Sequence, residues 1–344
     1  MTDTETPPTV ADASPTHPEQ TPANRPNRLL ELAERFALVV VLVVVTIFFS
    51  VLPESRELFP TIPNVRIVVA SQSVTLLLAI AAMLPLISGH FDFSVGATAA
   101  TTCVLVAGLM SRHSTSPWVC IIAAVLLGAA IGLANGIAVQ RLGMNSFVTT
   151  LATATLLGGA IQWYTKGQTI TGNIAPSLIE FGSHTWLGVP RVVFLVAVVT
   201  AGAYYLLTHT PYGRALYAMG DNVAAARLVG VPVRRYGITA FVLAGAVAGI
   251  AGIVLTARTG GANADNGTAA VFPALAAVFL GATAILPGRF NVIGTVIGVA
   301  LVAVSVSGLT LAGAQDWVNP VFNGAALAIA VAASSYLGRR SRGA

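Results

Sequence analysis

The polar side chains that interrupt the apolar stretches of this chain are few. Their chemistry is hydrogen bonding rather than bond making. Gln72 sits in a Ser-Gln-Ser triplet, and Asp92 and Ser94 lie in the segment LISGHFDFSVGA. Asn145, Thr149 and Thr153 belong to a threonine-rich run. Such amides and hydroxyls can line a route for an uncharged, hydroxyl-rich solute. They can equally make interhelical hydrogen bonds of about 0.6–2 kcal/mol, and both readings stand for each residue. Asp92 or Ser94 also suits the N-cap of a following helix, accepting orphan amide hydrogen bonds. Gly89 and Gly96 flank a tight turn or helix break there. At membrane depth, irregular backbone is tolerated only against protein or water.

No catalytic constellation accompanies these residues. His17, His90, His113, His184 and His209 fall in separate segments, and none pairs at ligand or triad spacing. Cys103 and Cys120 form no CxxC, so no metal site is expected. They read as small buried hydrophobes. A P-loop is missing, so the chain is not expected to bind ATP in that manner. Proton- or sodium-driven carriers keep ionisable residues near the midplane. Asp92 is the one clear candidate of that kind, which argues against an ion-coupled secondary carrier.

The segment His209–Arg235 is a different kind of polar interruption, long and carrying Arg214, Arg227, Arg234 and Arg235. Asp221-Asn222 offers an N-cap, Val223–Val229 a helical run, Gly230 a C′ residue and Pro232 a stop. A helix of about two turns is not stable alone in water. It must dock on its own domain or on a partner.

The elements that position these residues are membrane-length. The chain has 344 residues, 55% hydrophobic and 9% charged, against about 25% charged in a soluble domain. Apolar runs of spanning length, about 20 residues each, number about ten. They are Phe36–Leu52, Ile67–Ile87, Phe93–Met110, Trp118–Val139 and Phe147–Tyr164, then Val192–Leu207, Ile238–Ala257, Val271–Leu286, Val292–Leu311 and Pro320–Leu337. The expected fold is an all-α polytopic membrane protein. With both termini cytoplasmic, the inner segments hold 12 of the 18 basic residues, as the positive-inside rule requires. The His209–Arg235 loop is then cytoplasmic, and Thr165–Pro190 is the largest outer loop. Residues 1–28, rich in Thr, Pro and Glu, are expected to form a disordered cytoplasmic tail. Residues 29–338 form the transmembrane domain and 339–344 a basic cytoplasmic tail.

Four segments in order, SGHFDFSVGA, FVTTLATATLLGGAIQWYTKGQTI, GRALYAMGDNVAAARLVGV and FVLAGAVAGIAGIVLTARTGGANADNGT, resemble the permease subunit of bacterial ABC sugar importers. The likeness is to the ribose/xylose/arabinose/galactoside type and runs from about residue 64 to 337. It implies a type II ABC importer-like permease in the bacterial plasma membrane. Two copies, or two related chains, would pair over two cytoplasmic ATPase subunits that use ATP and Mg. An extracytoplasmic binding protein would deliver solute, and the permease would hold no cofactor. The short helix of the loop is similar to the family's coupling helix, which fits a groove in the ATPase. Gly213, Arg214, Gly220, Asn222, Ala224, Ala225, Arg227, Leu228 and Gly230 match that motif. Gln72, Asp92, Ser94, Asn145, Thr149 and Thr153 are the candidate pathway residues. A nucleoside or autoinducer permease is the alternative within the class.

The sequence departs from the family in three places. Val223 stands where the family has Glu. The family's glycine-rich run appears as Gly281–Phe290 with most glycines replaced, so that turn is expected to take another shape. The usual Gly-Gly before the Asp motif is Gly89-His90.

Overall fold

The computed structural model of the chain describes residues 28–263 and 269–342. The expected N-terminal tail, up to residue 27, lies outside the described residues. In chain order the elements are α1 (Arg28–Val51), α2 (Ile62–Ile87), α3 (Val95–His113), α4 (Pro117–Gln140) and α5 (Ser146–Thr165). Then come β1 (Ile170–Thr171), α6 (Pro176–Ser183), β2 (Thr185–Trp186), β3 (Val189–Pro190) and α7 (Arg191–His209). The polar interruption forms α8 (Pro211–Asp221) and α9 (Val223–Leu228). The chain finishes with α10 (Val233–Thr259), β4 (Gly261–Ala262), α11 (Val271–Gly281), α12 (Val292–Leu311) and α13 (Val318–Arg342).

Each expected apolar run coincides with a helix: α1 to α5, α7, and α10 to α13. Six of these, α2, α3, α4, α7, α10 and α12, are long and apolar enough to cross a membrane. The run expected over Val271–Leu286 is shorter than foreseen. Its helix stops at Gly281 after 11 residues, a rise of about 16 Å against a hydrocarbon core of about 30 Å. α5 has 20 residues but is diluted by Thr149, Thr150, Thr153, Thr155 and Thr165. The basic segment expected as a tail is not separate: α13 continues through Arg342, and residues 343–344 lie outside the described residues.

α2 runs through the centre of the bundle. Leu77, Leu78, Ala79, Ile80, Ala81 and Met83 are all fully buried, and α10, α3, α11, α12 and α7 surround them. A helix apolar on every side is a core helix. Its long neighbour α10 lies against α4 at van der Waals distance. A Cβ on Gly128 would stand 2.2 Å from the Gly245 carbonyl oxygen, and a Cβ on Gly245 2.1 Å from that of Gly128. Only glycine at both positions permits this approach, which is how small residues hold membrane helices together. Around the outside, Val40, Val44 and Ile47 of α1, Trp118, Ile122 and Leu126 of α4, and Val198 of α7 are exposed. An apolar surface of that extent belongs against lipid.

The expected outer loop, Thr165–Pro190, is structured. β1 pairs antiparallel with β4, tying it to the end of α10. β2 pairs with β3 through a two-residue turn, in which Leu187 and Gly188 both take positive φ (52° and 80°).

Candidate functional site

The loop after α7 builds two helices where the sequence reading found one. Thr210 caps α8, its Oγ1 accepting from Gly213 N at 3.3 Å, and Pro211 fills the first turn. Thr-Pro is a helix-start signal that was present but unread. Gly213, Ala215, Leu216 and Met219 form the buried face of α8. Four contacts then fix its position. Gly220 lies directly on α2, where a Cβ would come within 2.1 Å of the Ile87 carbonyl oxygen. Tyr217 donates its hydroxyl to Phe290 O at 2.8 Å. Asp221 pairs with Arg289 at 2.5 Å. Tyr212 meets Tyr236 of α10 edge-on, with ring centroids 5.2 Å apart.

α9 follows after a single extended residue, Asn222. Its cap is Asn222, whose Oδ1 accepts from Ala224 N (3.0 Å) and Ala225 N (3.1 Å); Asp221 is taken by Arg289. At the other end Gly230 has φ +84°. Its amide reaches Arg227 O (3.1 Å), and that of Val231 reaches Ala226 O (3.0 Å). These two bonds form a Schellman closure. Ala226 is the buried residue of α9, whereas Leu228 and Val229 are 89% and 78% exposed. Arg214, Ala224, Ala225 and Arg227 are exposed beside them. Helix α9 is thus seated on the bundle and presents an apolar tip that no element covers among the described residues.

Behind it runs a buried polar chain. Asp92 Oδ1 accepts from both the amide (3.0 Å) and the hydroxyl (2.6 Å) of Ser94. Ser94 Oγ accepts from Asn135 Nδ2 of α4 at 2.8 Å. Asn135 Oδ1 accepts from Thr153 Oγ1 of α5 at 2.6 Å. Asp92, Ser94 and Asn135 are all buried. Two backbone contacts reinforce the link: Phe91 N donates to Ser146 Oγ (3.1 Å) and Phe93 N to Thr150 Oγ1 (3.0 Å). Ser94 occupies the N-cap position of α3 but makes no side-chain cap bond. The carboxylate of Asp92, two residues earlier, holds the Ser94 amide instead.

Asp92 lies in the link between α2 and α3. Burial pushes its carboxyl up to about 6, with the Ser94 hydrogen bonds pulling the other way. In the same link, burial lowers the pKa of His90. Gln140 Nε2 donates to His90 Nε2 at 3.1 Å. The other ring nitrogen, Nδ1, lies 3.2 Å from Ser88 Oγ.

The expected pathway residues separate into two groups. Asp92, Ser94 and Thr153 share the chain just described. Thr149 and Asn145 stand beside it: Thr149 Oγ1 donates to Asn145 O (2.8 Å), and Asn145 Oδ1 caps α5 by accepting from Val148 N (3.2 Å). Gln72 is elsewhere. Fifteen residues before Ile87 on α2, it is about 23 Å away along the helix. It lines a cavity of about 460 Å³ among α1, α2, α7 and α12, with Thr46, Ser50, Asn64, Ser73 and Ser307. Its Oε1 is buried and has no hydrogen-bond partner among the described residues. The sequence reading missed Asn135, the centre of the chain, although an amide in the apolar run LANGI was a usable signal.

The glycine-poor segment 281–290 forms a turn with two residues at positive φ. Ile285 has φ +63° and Gly288 φ +82°. A β-branched residue at positive φ is strained. Its surroundings hold it there. Ile285 N donates to Arg35 O at 3.1 Å, and Asn291 Nδ2 spans Gly281 O (3.3 Å), Ala284 O (3.0 Å) and Arg289 O (3.1 Å).

Long apolar helices around a central one, a buried amide–hydroxyl chain and a capped helix seated at one end define a multispan membrane permease. The chain belongs to the family described as the branched-chain amino acid transport system / permease component, whose pattern matches residues 64–331. It is 32% identical over 306 residues to the ribose import permease protein RbsC of Escherichia coli K12, covering 87% of this chain and 93% of that one. RbsC of Bacillus subtilis is 34% identical over 247 residues, 72% of this chain and 76% of that one. The autoinducer 2 import system permease protein LsrC of Photorhabdus laumondii is 30% identical over 296 residues, with 86% and 88% covered. No solved structure matches. The chain is therefore a multi-pass membrane permease component, whose part is passage rather than catalysis.

Proposed function

We propose that the chain is the membrane-spanning subunit of an ATP-driven ABC importer for a sugar or similar polyhydroxy solute in the bacterial inner membrane. In this reading it crosses the membrane about ten times with both termini cytoplasmic, as the distribution of basic residues favours. The observation that carries the proposal is α9. A helix capped at both ends, anchored through α8 and exposing Leu228 and Val229, is built to enter a partner's groove. That partner is a cytoplasmic ATPase subunit using ATP and Mg, and a second permease copy and an extracytoplasmic solute-binding protein complete the system. ATP binding draws the two docked helices together. The motion reaches the spans through α8, Ile87 and the Asp92–Ser94–Asn135–Thr153 chain. The permease supplies two conformations, and the state of the ATPase biases them.

The relatives named for ribose and autoinducer 2 import bound the solute class, since both names describe import permeases. The experiment is uptake into proteoliposomes containing the permease, the ATPase subunit and the binding protein encoded beside it. Labelled pentose should accumulate with ATP and stop without it. Accumulation driven by a proton or sodium gradient in vesicles lacking the ATPase would sink the proposal. A preference for autoinducer 2 over pentoses in competition would select the second reading.

A further inference from the structure

Beside α9, away from its apolar tip, a cavity of about 440 Å³ is lined by Arg227, Pro232, Val233, Arg234 and Arg235. That volume lies within the roughly 300–1,000 Å³ of small-molecule sites. Three of its five lining residues are arginines and none is acidic. Among the described residues, the ion pair found is Arg289–Asp221, so none of the three has a carboxylate partner. All three are solvent-exposed, so water screens their mutual repulsion, and an anion entering the cavity would meet three cations at once.

We propose that this cavity binds the phosphate of an anionic phospholipid headgroup. The inference rests on the reading of the chain as a membrane-spanning permease, and its position within that reading selects the ligand. Arg234 lies one helical turn before Ile238, where the apolar part of α10 begins. The arginines are therefore at headgroup depth, where basic pockets attract anionic lipids. Guanidinium forks match phosphate oxygens in pairs, which a lysine ammonium does not. The first turn of α10, which has no side-chain cap, adds its positive end to the same cavity.

Helix geometry keeps the site clear of the partner surface. At about 100° per residue, Ala224 and Leu228 lie opposite the buried Ala226, whereas Arg227 is on the flank. A partner seated on Ala224 and Leu228 therefore need not fill the arginine cavity.

The test is native mass spectrometry of the purified permease released from nanodiscs of mixed phosphatidylglycerol and phosphatidylcholine. The wild-type chain should retain phosphatidylglycerol in preference. Arg234→Gln with Arg235→Gln should lower that preference about thirtyfold, and the paired lysine variant should keep a preference above that of the glutamine pair. Inorganic phosphate added to the wild type should not displace the lipid. Equal retention by wild type and glutamine pair would overturn the proposal, as would displacement by inorganic phosphate, which would mark a soluble-anion site. Loss of a co-purifying ATPase subunit with lipid retention intact would also overturn it, assigning the arginines to an acidic protein surface. Because the readout counts lipids, it is independent of whether the solute is a sugar.

Discussion

Gly220 of α8 and Ile87 at the end of α2 touch through their backbones, leaving no space for a Cβ between them. The central helix of the bundle therefore ends on the element that leads into α9. Gly220→Ala must push α8 off α2. Overpacking against a backbone group costs about 1–3 kcal/mol. We expect a normal yield in membranes, a lowered thermal midpoint and loss of solute uptake. Uptake equal to wild type would show that α8 does not need this seat.

Gly230 offers a contrast. A Cβ there meets nothing within 4 Å, but its φ of +84° disfavours any other residue. Gly230→Ala should cost about 1–2 kcal/mol, confined to the end of α9. Hydrogen exchange should quicken at residues 230 and 231 and leave the spans unchanged. Faster exchange spread across the whole bundle would contradict a purely local closure.

Asn135 joins Ser94 to Thr153. Asn135→Leu removes both bonds and should cost about 1–3 kcal/mol. Combined with Thr153→Val, the loss should be less than the sum by about 0.5–3 kcal/mol, because the two residues share one interaction. Strictly additive thermal shifts would mean that the chain is not a unit.

Asp92 gives a pH dependence of determinate sign. Its carboxyl is raised from 3.8 to about 6 by burial. Between those values the folded state holds a proton that the unfolded state has released, so stability falls as pH rises through the window and levels off above it. Asp92→Asn keeps a neutral acceptor and should flatten the profile. A thermal midpoint that climbs from acid toward neutral pH by way of this residue would reverse the assignment.

The Asp221–Arg289 pair should matter little for stability. Both side chains are half exposed, and such pairs are worth about 0.2–1 kcal/mol. Arg289→Ala should therefore shift the thermal midpoint only slightly. A large drop would show that Arg289 also supports the 281–290 turn through Tyr217, over whose ring it lies at 5.9 Å.

The helices were legible because hydrophobic runs of membrane length are a strong signal, and α9 because Asn222, Gly230 and Pro232 mark its ends. What the sequence hid was relation. Nothing in the spacing of Gln72 says that it faces a cavity between α1 and α12 while Thr153 faces α4. α8 was obscured because two poor helix formers, Gly213 and Gly220, fall within it. They serve close contact. The 281–290 turn was legible as a departure but not as a shape. Which residue takes the left-handed conformation depends on Arg35 and Asn291, which are distant in sequence or bonded through a side chain.

The glycine contact between α4 and α10 has a mechanical consequence. With each carbonyl pressed against the other helix at Gly128 and Gly245, neither can roll without the other. α10 begins five residues after α9 ends, and α4 carries Asn135. Under the proposed coupling, a pull on α9 therefore moves a rigid two-helix unit whose near end carries the polar chain, since Gly136, next to Asn135, meets Ile238 close to the start of α10. The displacement would reach that chain as a rigid-body shift, without either helix having to bend.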